Sequence, residues 1–493
     1  MGKFKKAARG SILIFLGSIL GSAFAYFFRM ILVRRISVEA YGLFAAVFSF
    51  VMLFGIFRDL GIYSALTKYV AQALALKKES EVKKIVAVSI VSETLLAGVI
   101  VLVLKLVDDY LALNYFKQSF AQLVLNWMLV YFVLETVSTG FQYSFLGVQE
   151  AELFALKKPL FNIFSFVFVL LLPIKDARLP MMALTGGLGG TVAVLGYFFF
   201  HRFSPFLKLK LEDFKGFLPR LLRFGIPTAF ASIGAMAIAQ FDTLTLTYLR
   251  SLREVGVYNI VLSTALILGF IGDAVSRIIL PIASEFEAKK EFAKIKDGLF
   301  TAYRFTLVPA ILISLPLLLF PEYLLGLFFG GDYAIGGRTL QVLLIGVFFS
   351  IIGGVNLSTI YGLGYPKIGM KITLAAAFLN IILNLLLIPS FGIVGAAVAT
   401  FFSFLTMAIL SFRFLLRKIQ LFFPVKFFFC LFLSWFTAFV LGKLGAKLFF
   451  ENFALIWQTI IVSTTSGLVF LLVILYSGIF RITDLIKLFL IFK

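Results

Sequence analysis

Cysteine and histidine are almost absent from this chain: 493 residues hold one of each, Cys430 and His201. A lone cysteine forbids an intrachain disulfide, and one Cys with one His cannot build a zinc site. Charge is also scarce. Only 14% of the residues are Asp, Glu, Lys or Arg, against about 25% in an ordinary soluble domain. So few charges cannot cover the surface of a water-soluble globule. Disorder, a soluble nucleic-acid-binding domain and a secreted disulfide scaffold are excluded. No GxxxxGK(S/T) phosphate loop occurs, so no ATP site of that kind is expected. Long polar loops are missing too; the longest runs over 201–220, then 321–338. Neither has room for a soluble catalytic domain, and no enzymatic step is expected.

What is there is apolar. Hydrophobic residues make up 61% of the chain, 62 of them Phe, with a mean hydropathy of +1.05. Fourteen continuous apolar runs are long enough for a bilayer of ~30 Å. They cover 10–33, 40–67, 84–104, 119–147, 156–173, 181–200, 221–248, 256–283, 299–320, 339–362, 368–388, 392–412, 427–446 and 454–479. Runs of this length read as helices rather than barrel strands. The expected class is an all-α polytopic membrane protein of about fourteen transmembrane helices. The opening MGKFKKAARG is basic and lacks a cleavage pattern, so it reads as the start of a retained helix.

The net charge of +21 invites a nucleic-acid reading until the bases are placed. With the N-terminus inside, 29 of the 45 Lys and Arg fall in inner segments and 11 in outer loops. That bias orients the chain N-in and C-in; the location expected is a prokaryotic plasma membrane. The other five, Arg29, Arg58, Lys68, Arg277 and Arg304, lie within spans.

The chain reads as built twice. Gly42 and Gly256, Phe44 and Tyr258, and Asp59 and Asp273 all share an offset of 214 residues, as do Arg9 and Arg223. Pro173 matches Pro389 at 216. Two six-helix lobes follow, 1–207 and 208–416, with two further helices in 417–493. An even number of spans per repeat gives parallel repeats about an axis along the membrane normal, enclosing a cavity.

Five acids also fall within spans: Asp59, Glu93, Glu135, Asp242 and Asp273. Each intramembrane charge costs at least about 2.5–3.5 kcal/mol on insertion scales, so it faces protein or water. Arg29, Arg58 and Arg277 are candidates to grip a phosphate, because a guanidinium donates in pairs to phosphate oxygens. Asp59, Asp242 and Asp273 are candidates for ion coupling or gating. The competing reading is a set of structural ion pairs. Pro227 and Pro281 are candidate helix kinks, and Gly17 with Gly21 makes a close-packing face. No metal site is expected.

The stretch Ser11–Tyr69, with ILGSAFAYFFRMILVRRISVEAYGLFAAVFSF and FRDLGIYSALTKY, resembles the polysaccharide transporter family of the multidrug/oligosaccharidyl-lipid/polysaccharide exporter superfamily. QYSFLGVQE, LGYPK and LNIILNLLLIPSFGIVGAAVAT extend the resemblance over the whole chain. It implies a flippase that moves a sugar unit on a polyprenyl (pyro)phosphate from the cytoplasmic to the outer leaflet by alternating access. It also implies Na⁺ or H⁺ as a coupling ion, the lipid-linked oligosaccharide and membrane lipids as partners, and glycosyltransferases or a polymerase of the same pathway nearby. Arg29, Arg58 and Arg277 would contact the headgroup. A peptidoglycan-precursor flippase ranks second, and an ion-coupled multidrug exporter third.

Overall fold

The apolar runs fall on helices in the computed structural model, the runs 40–67 and 256–283 each on more than one, and no strand occurs among the described residues, 2–203, 210–420, 425–448 and 453–477. Contacts divide the chain into two units, Met1–Asn259 and Ile260–Lys493.

The first unit holds α1 (Gly2–Arg35), α2 (Val38–Leu53), α3 (Gly55–Asp59), α4 (Ile62–Ala75), α5 (Glu79–Leu106), the short turn α6 (Asp108–Tyr110), α7 (Ala121–Gly147), α8 (Ala151–Leu171), α9 (Arg178–Phe203), α10 (Leu211–Leu249) and the start of α11 (Leu252–Leu266). Ser37 caps α2 by accepting from the Ala40 N–H, which satisfies one of the orphan amides of a helix start. Gly17 and Gly21 lie against α8: a Cβ on Gly17 would meet Ala155 O at 3.2 Å, and one on Gly21 the Lys158 backbone at 3.2 Å. The expected small-residue face is therefore a packing face. Arg35 closes the same pair by donating to Val169 O and Leu172 O at the end of α8, where helix carbonyls lack partners and favour a cation.

The second unit continues through α12 (Gly269–Ala288), α13 (Phe292–Leu319), α14 (Pro321–Phe329), α15 (Gly337–Gly362), α16 (Pro366–Lys418), α17 (Val425–Leu448) and α18 (Leu455–Tyr476). α16 is 53 residues long, with non-helical Gly392 (φ 54°, ψ −131°) at its middle and Pro389 just before it. Those two residues divide it where the sequence places a turn between two runs. α17 and α18 pack on α13 through Leu319, Ala446 and Val462.

Ten helices among the described residues are long and apolar enough to cross a membrane, or up to twelve candidate spans if each of two bent pairs counts as one. Fourteen remains the sequence expectation. The bent pairs break by 51° at Ala231 in α10 and by 47° between α11 and α12. Neither bend falls in the turn before Pro227 or Pro281, where a proline ring removes a hydrogen bond. The division at residue 259 also differs from the repeat boundary near 207. The contact division groups α10 with α2, α4 and α5, on which it packs closely.

Candidate functional site

The second apolar run is not one helix. It is interrupted at Phe54 and again at Leu60–Gly61, both left-handed, with φ of 42° and 74°. A bulky residue in that region costs about 1–3 kcal/mol and persists where surrounding packing imposes it. The packing is visible: a Cβ on Gly61 would lie 2.0 Å from Gly225 O, so α10 reaches the backbone of the break itself. Interrupting a helix inside a membrane leaves amides without partners. Asp59 supplies one acceptor, taking the Tyr63 N–H at 3.1 Å.

Around this break the first unit gathers its buried charges. Arg58 is 9% exposed. Its guanidinium lies 5.0 Å from the centre of the Phe132 ring and donates to Thr136 Oγ1 at 3.4 Å. Glu93 on α5 is fully buried, among Asp59, Tyr63 and Arg58. The Tyr63 hydroxyl donates to Thr136 O at 3.0 Å, and its ring stacks on Tyr143. Beside them Lys157 Nζ donates to Glu135 Oε1 at 2.7 Å and to Thr139 Oγ1 at 2.6 Å, with Arg58 in electrostatic range. Two bases and three acids thus share one interior. Arg58 Nε and both Glu93 oxygens have no hydrogen-bond partner among the described residues.

The other candidates have the following surroundings. Asp242 on α10 is buried and accepts the Tyr258 hydroxyl, a structural engagement. Arg29 on α1 is half-buried and faces Tyr41. Asp273 and Arg277, on α12 in the second unit, are exposed. Pro227 lies within α10, and Pro281 within α12. No group of three or more His, Cys, Asp and Glu able to hold a metal occurs among the described residues.

At the N-terminal end of α2 a second arrangement stands out. A Cβ on Gly42 would lie 1.8 Å from Leu252 O, and one on Gly256 would lie 2.4 Å from Val38 O. Residues 38 and 252, like 42 and 256, are 214 apart, so the contact is reciprocal under the repeat offset. Glu39 and Arg253, also 214 apart, form an ion pair of 3.5 Å. Identical contacts made in both directions are the mark of a two-fold axis.

The model of the family described as polysaccharide biosynthesis protein matches residues 7–287, more than half the chain. The chain belongs to the polysaccharide biosynthesis protein family. A second model, MatE, matches residues 227–386, and together they place this family member in the exporter superfamily that the sequence resembles. An uncharacterised membrane protein of Methanocaldococcus jannaschii is 25% identical over 431 residues, covering 84% of this chain and 85% of that protein. A probable low-salt glycan biosynthesis flippase, Agl15 of Haloferax volcanii, is 24% identical over 421 residues, 83% of each chain. Among solved structures, the lipid II flippase MurJ in an inward closed conformation matches with a TM-score of 0.76 at 17% identity, covering 95% of this chain and all of that one. An inward-facing multidrug resistance transporter of the MATE family matches with a TM-score of 0.67 at 13% identity, over 83% and 98%. These two show the fold. The family member is a multi-pass membrane protein of a transporter superfamily.

Sequence reasoning missed Lys157, which counts there among the inner-segment bases that set orientation. In the structure its side chain is only 11% exposed and paired with Glu135. A signal existed: Lys157 opens a run that holds no acid, while Glu135 lies deep in its own. Tyr63 and Thr136 carried no such signal, because each is an ordinary residue until the break at Leu60 brings it to Arg58.

Proposed function

We propose that this protein is a flippase for a lipid-linked oligosaccharide or polysaccharide repeat unit, carried on a polyprenyl-phosphate-type lipid. It moves the unit from the cytoplasmic to the outer leaflet of a prokaryotic plasma membrane by alternating access, with N- and C-termini inside. The family match and the glycan flippase among its relatives support the substrate class. The observation that carries the mechanism is the reciprocal crossing at Gly42 and Gly256. A contact on a two-fold axis can part without either repeat refolding, which alternating access requires. Arg29 and Arg277 serve as headgroup contacts in this reading, and Na⁺ or H⁺ drives the cycle. Arg58, turned into its own lobe, acts on Glu93 and Asp59. Transport of a peptidoglycan precursor is the second reading, favoured by the likeness to the lipid II flippase over 95% of the chain.

Flipping in reconstituted vesicles tests it. Arg29→Ala and Arg277→Ala should each weaken apparent substrate affinity about tenfold, the effect of losing one charge-assisted hydrogen bond. Wild-type rates for both variants would remove the headgroup role. Equal rates with sugar-free polyprenyl phosphate would remove the oligosaccharide.

A further inference from the structure

Three carboxyls and two bases share the interior around the Leu60 break, so full ionisation would leave one negative charge without a counterpart. The ion pair of Lys157 and Glu135 accounts for one of each sign. Asp59 has the start of α4 and its neighbour Arg58. Glu93 is left. It is fully buried, and no described residue donates to either oxygen. The hydroxyl facing it, that of Tyr63, has a single proton, already given to Thr136 O at 3.0 Å. While Tyr63 gives that proton to Thr136 O, what it presents to Glu93 is an oxygen lone pair. A carboxylate there would meet a lone pair in a dry interior, where an unpaired charge is very costly. A carboxylic acid would donate to it.

We propose that Glu93 is a proton-binding site: it holds one exchangeable proton as a neutral carboxylic acid, hydrogen-bonded to the Tyr63 oxygen. Loss of that proton leaves the cluster one charge negative beside Arg58, whose Nε has no hydrogen-bond partner among the described residues. The inference deepens the flippase reading by naming the coupling ion, and it rests on that reading only for the use made of the proton.

The test needs no substrate, so it fails or succeeds independently of the flipping assay. Infrared spectra of the full-length protein in lipid nanodiscs at neutral pH should contain a protonated-carboxyl C=O band that shifts in D₂O. The band should be lost in Glu93→Gln, move in frequency in Glu93→Asp, and persist in Glu135→Gln. It should be identical in sodium and potassium buffers. Absence of the band at neutral pH would overturn the proposal, as would its survival in Glu93→Gln. Its disappearance on adding sodium would assign the site to that cation instead. Should Glu93→Gln fail to accumulate, the shift in Glu93→Asp carries the assignment.

Discussion

The two units bury polar groups of different kinds. The interior of the first holds Arg58, Glu93 and Asp242. The buried polar side chains described in the second are amides and hydroxyls, such as Asn356, Asn380, Asn384 and Ser411. There the Tyr303 hydroxyl donates to Asn356 Oδ1, and Asn356 Nδ2 donates to Ser411 Oγ at 3.1 Å. Neutral networks of this sort are fixed by geometry and indifferent to proton concentration. The charged interior changes with every proton gained or lost. The two units therefore differ in kind: the first buries titratable groups, the second neutral groups held by fixed hydrogen bonds.

The sharpest way to break this comparison is through backbone contact. Gly42→Ala places a Cβ against a carbonyl at 1.8 Å, which no side-chain rotation relieves, whereas Gly272→Ala in the second unit meets the Ile351 side chain at 3.1 Å. Gly42→Ala should abolish flipping or accumulation of folded protein, and Gly272→Ala should retain both. Equal tolerance, measured as monodisperse yield and vesicle flipping, would mean that the crossing at Gly42 and Gly256 is not tight.

The interiors themselves come next. Lys157→Met leaves Glu135 without its cation and should cost about 3 kcal/mol, the lower end for a broken buried pair because this one is partly exposed. Adding Glu135→Leu should recover most of the loss. Asn356→Leu in the second unit should cost about 1–3 kcal/mol, by stranding the Tyr303 hydroxyl. Denaturant unfolding in detergent reads both, and a larger cost for Asn356→Leu than for Lys157→Met would reverse the comparison.

The smallest effect lies at the N-terminal end of α10. Lys84 at 2.8 Å, and then the Lys210 N–H, hold the Asp213 carboxyl below its usual range. A carboxyl depressed in the folded state adds stability above its ordinary titration near 4, and that stability is lost as pH falls through the folded value. Asp213→Asn should slightly lower the melting temperature at neutral pH and narrow its difference from wild type in acid. A gap that widens in acid would show that the pair does not hold α10.

Much of the fold was legible because lipid imposes one rule, a long apolar run per crossing, and the described helices carry such runs. The Gly42 and Gly256 pair was legible as a spacing, though not as a contact, since an offset says nothing of which copies touch. The Leu60–Gly61 break was not legible. FRDLGIYSALTKY reads as continuous helix, and only the approach of Gly225 makes a left-handed Leu tolerable. The charged site suffered for the same reason. Asp59 and Arg58 stood out as intramembrane charges, but their partners Tyr63, Thr136 and Glu93 lie on three helices that the break orients. Glu93 was visible as an acid in the third run, without a neighbour to give it a role.

The glycine crossing carries a historical consequence. Two copies of a half-length chain meeting on a two-fold axis would press residue 38 of each against residue 42 of the other. Joined end to end, they would give the contacts seen here, 38 with 256 and 252 with 42. The crossing has the form of a homodimer interface kept inside one polypeptide. Fusion removes the need for both sides to stay alike everywhere else, while the seam itself must still match.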